Sequence, residues 1–181
     1  MPDLPERKSV LGGKPQLRGS AIRLEALPEG HLLHIMGALT TDGLKAHLSA
    51  VGLNDSSVRT AGYRQWFVAG DETLSNAQVR DLVKTLAGGA FVSDQSHGRI
   101  RIGVSGTLAA NLLSKGTAVD LHSSAFPEGQ AAMTLFGHIS IQLARVGAEQ
   151  FELTVLRSFA EALYEELEEL ALSLGASPGV S

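Results

Sequence analysis

The sequence predicts an α+β fold of duplicated mixed or antiparallel sheet units with packed helices, and three observations carry that prediction. Apolar residues alternate in some short runs and recur at helical spacing in others, most runs closing on glycine. An offset of 69 residues lays IMGAL (35–39) on VSGTL (104–108), each a strand end, a glycine, a leucine and the start of a short helix. The chain has 181 residues and no cysteine, a length that buries roughly two-thirds of the unfolded surface without help from disulfides. On this reading residues 1–20 are a flexible arm, 21–174 are one domain of two pseudo-repeated halves (21–92 and 93–174), and 175–181 are a disordered tail.

The elements follow in order. HLLHIM (31–36) reads as a strand, and TTDGLKAHLSAVG (40–52) as a short helix with Leu44, His47, Leu48 and Val51 on one side, ended by Gly52 and a polar run to Arg59. YRQWFVAG (63–70) is the next strand and carries the sole tryptophan, Trp66. Ser75 with Gln78 three residues on marks a capping box, and Val79, Leu82, Val83 and Leu86 share a helix face that the next glycines terminate. In GRIRIGVSG (98–106), Ile100, Ile102 and Val104 alternate with Arg99, Arg101 and Gly103, the pattern of a half-buried strand. A helix over TLAANLLSKG follows, stopped by Gly116. Residues 132–159 hold two or three strands with a turn at residues 146–149 and a kink at Gly137. In the last helix Ser158 and Glu161 form a second capping box, Phe159, Leu163, Leu167, Leu170 and Leu174 a buried stripe, and Glu165, Glu166, Glu168 and Glu169 the wet face.

Composition narrows the function classes. Without cysteine there is no thiolate nucleophile, thiolate zinc site or iron–sulfur cluster, and no oxidised secreted scaffold, so a cytoplasmic protein is expected. No stretch approaches the eighteen or so apolar residues that span a bilayer. A net charge of -4 with no basic cluster argues against nucleic acid as the partner; Arg7, Lys8, Lys14, Arg18 and Arg23 are scattered through the proline- and glycine-containing leader. Gly103 and Gly106 flank Ser105 at the wrong offsets for a nucleophile elbow, and there is neither a dinucleotide loop nor a Walker lysine motif. His31 and His34 would point to opposite faces of a strand, against a shared metal.

Two stretches carry candidate chemistry. In GTAVDLHSSAFPEGQAAMT (116–134), Asp120 and His122 would leave the same face of an extended chain, a carboxylate beside an imidazole that suits a base with its orienter. Alternatively both hydrogen-bond backbone in the turn before Ser123 and Ser124. The second stretch, SDQSHGR (93–99), brings Asp94, His97 and Arg99 close in sequence, or is simply the loop into the next strand.

From His97 through Leu167 the chain carries a series of specific residues: Gly116, Asp120-Leu121-His122, Phe126, Gly129, Thr134, Arg145, Phe151 and Arg157-Ser158-Phe159. In this it resembles the gamma subunit of heterotetrameric sarcosine oxidase and its relatives among N-methyl amino acid dehydrogenases. Upstream, QWFVAG stands in place of the family's tryptophan strand, with Gln65 where an acid is usual. The resemblance implies a small α+β subunit built like the folate-binding fold of aminomethyltransferase, without a cofactor or metal of its own. It further implies an oxidase complex that demethylates sarcosine to glycine and passes the one-carbon unit to tetrahydrofolate. FAD would sit on the beta subunit, FMN near the alpha–beta boundary, NAD and tetrahydrofolate on alpha, and zinc on a small delta subunit. The gamma chain would contribute assembly and stability, catalysing nothing alone. On that reading Gly116, Asp120, His122, Phe126, Gly129 and Met133 form the partner interface, Phe126 as its aromatic anchor. The alternatives are a subunit of an N-methylglutamate dehydrogenase, or a stand-alone folate-binding methyltransferase-like protein in which Asp94 or Asp120 would be the acid.

Overall fold

The computed structural model describes residues 9–19, 21–53 and 57–178; Arg7, Lys8 and the last three residues of the expected tail lie outside them. Its elements are β1 (Leu17–Arg18), β2 (Arg23–Ala26), β3 (His31–Gly37), α1 (Thr41–Ala50), β4 (Ser57–Gly62), β5 (Gln65–Gly70), α2 (Asn76–Thr85), β6 (Ala90–Asp94), β7 (Arg99–Ser105), α3 (Ala109–Leu113), β8 (Ala131–Phe136), β9 (Ile139–Gly147), β10 (Gln150–Leu156), α4 (Ala160–Ser173) and β11 (Ser177–Pro178). The strands form a four-stranded sheet, β4-β5-β3-β6, and a seven-stranded one, β11-β1-β2-β7-β10-β9-β8. Pairing is antiparallel throughout the described residues.

The duplication is real but its boundaries differ from expectation. The run β3-α1-β4-β5-α2-β6 is a split β-α-β unit with β3 at its centre. The second unit repeats it as β7-α3-β9-β10-α4 with β7 at the centre, yet its fourth position is filled by β2 from the other end of the chain. The halves are therefore not 21–92 and 93–174. The 69-residue offset does align equivalent sites: a Cβ on Gly37 would lie 2.3 Å from the Gly89 carbonyl oxygen, and one on Gly106 would lie 2.3 Å from that of Ala21. Both strand exits need a backbone-to-backbone approach that only glycine permits.

Besides β2, to which the sequence reading assigns no element, two strands escaped the sequence pattern. β4 begins in the polar run expected to be loop, and β6 ends on Ser93 and Asp94, the first two residues of the supposed loop before β7. Both are edge strands whose short, mixed sequences show little alternation. The arm and tail are also structured where described. Leu11 and Leu17 are buried, β1 pairs with both β2 and β11, and Ala176 joins the same core. Apolar side chains close to the body dock there even though the surrounding proline and glycine read as flexible.

Each sheet buries one face under its helices. Ile100, Ile102, Val104, Phe151, Leu153 and Val155 pack with Leu163, Tyr164 and Leu167 of α4, while Leu33, Ile35, Trp66 and Val68 pack with Leu44 and Leu48 of α1 and Leu82 of α2. Of the residues expected on α2, Leu82 and Leu86 are buried but Val83 is exposed. Its Ser75–Gln78 box forms in both directions. The second box does not: α4 starts at Ala160 behind a 3-10 turn at Arg157–Phe159, with no side-chain cap. The buried stripe is Ala160, Leu163, Tyr164, Leu167 and Ala171, and Phe159 is 49% exposed.

The other faces of the two sheets meet over a polar layer. Arg59 of β4 makes a two-pronged contact with Glu152 of β10, one limb 2.7 Å, and Arg101 of β7 lies 3.5 Å from the same carboxylate. Gln142 Nε2 of β9 donates to the Thr60 carbonyl of β4 at 2.7 Å. Arg99 stacks on Phe67, its guanidinium 4.9 Å from the ring centroid. Arg101, read from the sequence as wet, is thus buried because a second sheet covers the face that alternation assigns to solvent.

Candidate partner interface

The loop between α3 and β8 is the segment in which the sequence concentrates its candidates. It leaves α3 through Gly116, where a Cβ would fall 2.5 Å from the Phe136 ring, so glycine is demanded by that ring. Thr117 and Thr134 then join hydroxyls at 3.1 Å, tying the loop's start to β8. The loop ends at Gly129, whose φ of 84° is left-handed and whose N–H donates to the Arg145 carbonyl at 2.8 Å.

Between these points the chain turns instead of extending. Asp120 Oδ1 accepts from the His122 N–H at 2.9 Å, an Asx turn. His122 Nδ1 lies 3.3 Å from the Ser124 backbone nitrogen and 2.8 Å from the Ser124 hydroxyl. The expected acid–imidazole pair is absent: the carboxylate holds backbone and the ring holds serine. Both side chains are exposed and shape the loop.

Phe126, expected as an exposed anchor, is 2% exposed and packs in the large core with Leu121 and Phe136. Its ring fastens the loop to the chain's own body, because the turn at 122–126, closed by the Phe126 N–H on the His122 carbonyl at 2.8 Å, directs it inward. A second fastener escaped residue-by-residue chemical reading. Arg145 of β9 donates to the Leu121 and Ala148 carbonyls, the latter at 2.6 Å, and stacks 4.6 Å from the Phe151 centroid. The signal available in the sequence was a lone arginine on the apolar phase of β9, after Ile141 and Leu143.

The large apolar side chains of this region that stay accessible lie on β8. Met133 is 45% exposed and Leu135 is 54% exposed, on the side of the strand opposite Phe136.

The other candidates do not assemble into a site. Asp94 Oδ1 accepts from the Ser96 N–H at 2.9 Å, His97 is exposed, and Arg99 turns away under Phe67, where loss of water lowers its guanidinium's affinity for a proton. His31 contacts the Glu72 carbonyl at 2.7 Å. His34 contacts Gln65 Oε1 at 3.0 Å and meets Phe67 edge-on, on the opposite face. Gln65, the departure in the tryptophan strand, thus supplies a neutral partner to a histidine whose pKa burial pulls below its ordinary value. Among the described residues no group of three histidine or acidic side chains is placed to hold a metal, and no helix is long and apolar enough to cross a membrane.

Comparison with known proteins adds the following. The profile of the sarcosine oxidase, gamma subunit family matches residues 39–172. The fold is similar to a chain of the heterotetrameric sarcosine oxidase from Corynebacterium sp. U-96 in complex with pyrrole 2-carboxylate, with a TM-score of 0.78 and 21% identity, covering 96% of this chain and 99% of that one. It is also similar to the glycine cleavage system aminomethyltransferase T from Bartonella henselae, with a TM-score of 0.57 and 16% identity over 82% of this chain and 45% of that one. No curated sequence gives a significant match.

Proposed function

The chain belongs to the sarcosine oxidase gamma subunit family, and from that premise we propose that it is a non-catalytic subunit of a heterotetrameric, flavin-dependent oxidase. That complex demethylates sarcosine to glycine and delivers the one-carbon unit to tetrahydrofolate. Alpha, beta and delta subunits are its partners, and FAD, FMN, NAD, tetrahydrofolate and zinc reside on them. The observation that carries this reading is how Asp120 and His122 are used: the residues best suited to chemistry are committed to the shape of their own loop. The loop's outer surface, with Asp120, His122 and Gly129, and the Met133–Leu135 face of β8 are the contact region. Gly116 and Phe126 support it from beneath.

Co-expression with the large subunits tests the reading. The chain is expected to copurify with flavoprotein, and alone to show no turnover with sarcosine, tetrahydrofolate and an electron acceptor, since hydride or electron transfer needs a cofactor it does not carry. Failure of the wild-type chain to capture any flavoprotein would overturn assembly. Calorimetric binding of a reduced folate to the lone chain at micromolar Kd, about -8 kcal/mol, would favour a folate-binding protein instead.

A further inference from the structure

The two sheets have four outer strands, and three are guarded. β11 has two residues and ends in Pro178, which has no N–H to offer. β4 carries a bulge between Thr60 and Gly62, lends its Thr60 carbonyl to Gln142, and lies against β8, so these two edges shield one another. The fourth, β6, has the sequence AFVSD, without proline, lysine or a bulge. Its bonds to β3 include the Gly89 carbonyl at one end (3.0 Å from the Ala38 nitrogen) and the Gln95 N–H at the other (2.8 Å from the Leu32 oxygen). Alternation along the ladder places Phe91 and Ser93 in the same inward-bonding set, so Val92 and Asp94 turn their N–H and C=O groups to the open side.

The adjacent surface is apolar. Phe91 is 79% exposed. The register sets it beside Met36 and Met36 beside Gln65, a row across three strands on the face away from α1 and α2. Tyr63, 84% exposed, stands in the hairpin turn two residues before Gln65.

Building on the assembly reading above, we propose that the open edge of β6 seats an extended strand of an unlike subunit, which adds a fifth strand to the four-stranded sheet and covers Phe91. That segment has an apolar side chain where it crosses Phe91 and no acid beside Asp94, since like charges directly opposite destabilise a pair. A second copy of this chain fits less well. Paired antiparallel about Val92, two β6 strands set Phe91 opposite Ser93, and five residues alone fall well short of the ~1,200 Å² of a stable dimer. In an unlike assembly the strand is one part of a larger contact that also includes β8.

Val92→Pro removes an outward N–H that the β6–β3 ladder does not use, and Phe91→Glu puts a charge at the crossing without touching the backbone. Each is co-expressed with the large subunits, and the isolated variants are melted beside wild type. Capture is expected to fall at least about tenfold for both, with the Phe91→Glu melt unchanged. Amide exchange at Val92 and Asp94 is expected to slow in the wild-type complex relative to the lone chain. Unchanged exchange there, or full capture of Phe91→Glu, overturns the edge proposal while leaving the assembly reading intact. Loss of capture by the wild-type chain overturns that reading first. A concentration-dependent dimer of the lone chain that Val92→Pro makes monomeric would put a second copy on the edge and overturn the unlike partner.

Discussion

Glu152 stands between two guanidiniums, Arg59 from one sheet and Arg101 from the other, and all three side chains are nearly buried. Removing one member of such a group leaves uncompensated charge in a poor solvent, so Glu152→Ala is expected to cost about 3–5 kcal/mol. Urea denaturation checks it; a midpoint within error of wild type would mean that the arginines reach water or other acceptors. None of this was legible in the strand itself, where QFELTVL gives a polar residue at every second place and reads as one wet face. The candidate loop was legible in part. Hydrogen bonding of Asp120 and His122 within the turn is one of the two readings the sequence allows and is the one the loop adopts, whereas the expected outward Phe126 is buried. Its direction is set by the turn at residues 122–126, which follows Leu121, itself buried in the same core and held at its carbonyl by Arg145.

At the scale of elements, α2 and α4 show what a cap motif decides. Ser75 forms its box because the chain enters α2 from an extended residue (φ -71°, ψ 153°), whereas the chain before α4 is already wound into a 3-10 turn that occupies the place of a cap. Starting at Ala160 shifts the buried stripe to include Tyr164, whose hydroxyl donates to the Pro15 carbonyl at 2.9 Å. Burial, with Glu168 and Glu25 nearby, pushes that phenol up to about 12. The neutral form is therefore favoured by folding. This stabilisation is complete below the unfolded phenol's pKa of about 10 and is lost as pH rises toward the folded value. Wild type should thus lose stability between roughly pH 10 and 12 in excess of Tyr164→Phe. The variant itself should cost about 1 kcal/mol near neutral pH for the lost hydrogen bond. Denaturation curves of both proteins across that range test the sign; parallel curves would refute it.

Over the whole molecule, the N-terminal segment is a structural member: β1 and β2 extend the large sheet, and Leu11 and Leu17 enter its core. Deleting residues 1–18 exposes what those leucines cover, at roughly 1.5–3 kcal/mol for each, and removes the acceptor of the Tyr164 hydroxyl. A markedly lower melting temperature is expected, against an unchanged one if the segment were a loose arm. The sequence by itself determined the α+β class, the central strands and helices, the glycine exits shared by the two units, and the family, because these rest on local periodicity, on backbone geometry that only glycine allows, and on residue series met in order along the chain. Only the tertiary structure decided that β2 completes the second unit, that the faces of two sheets meet over charge, and that Phe126 points inward while Phe91 points out. Each of these depends on which surface another part of the chain covers, and alternation along a strand records that a face exists but not what lies against it.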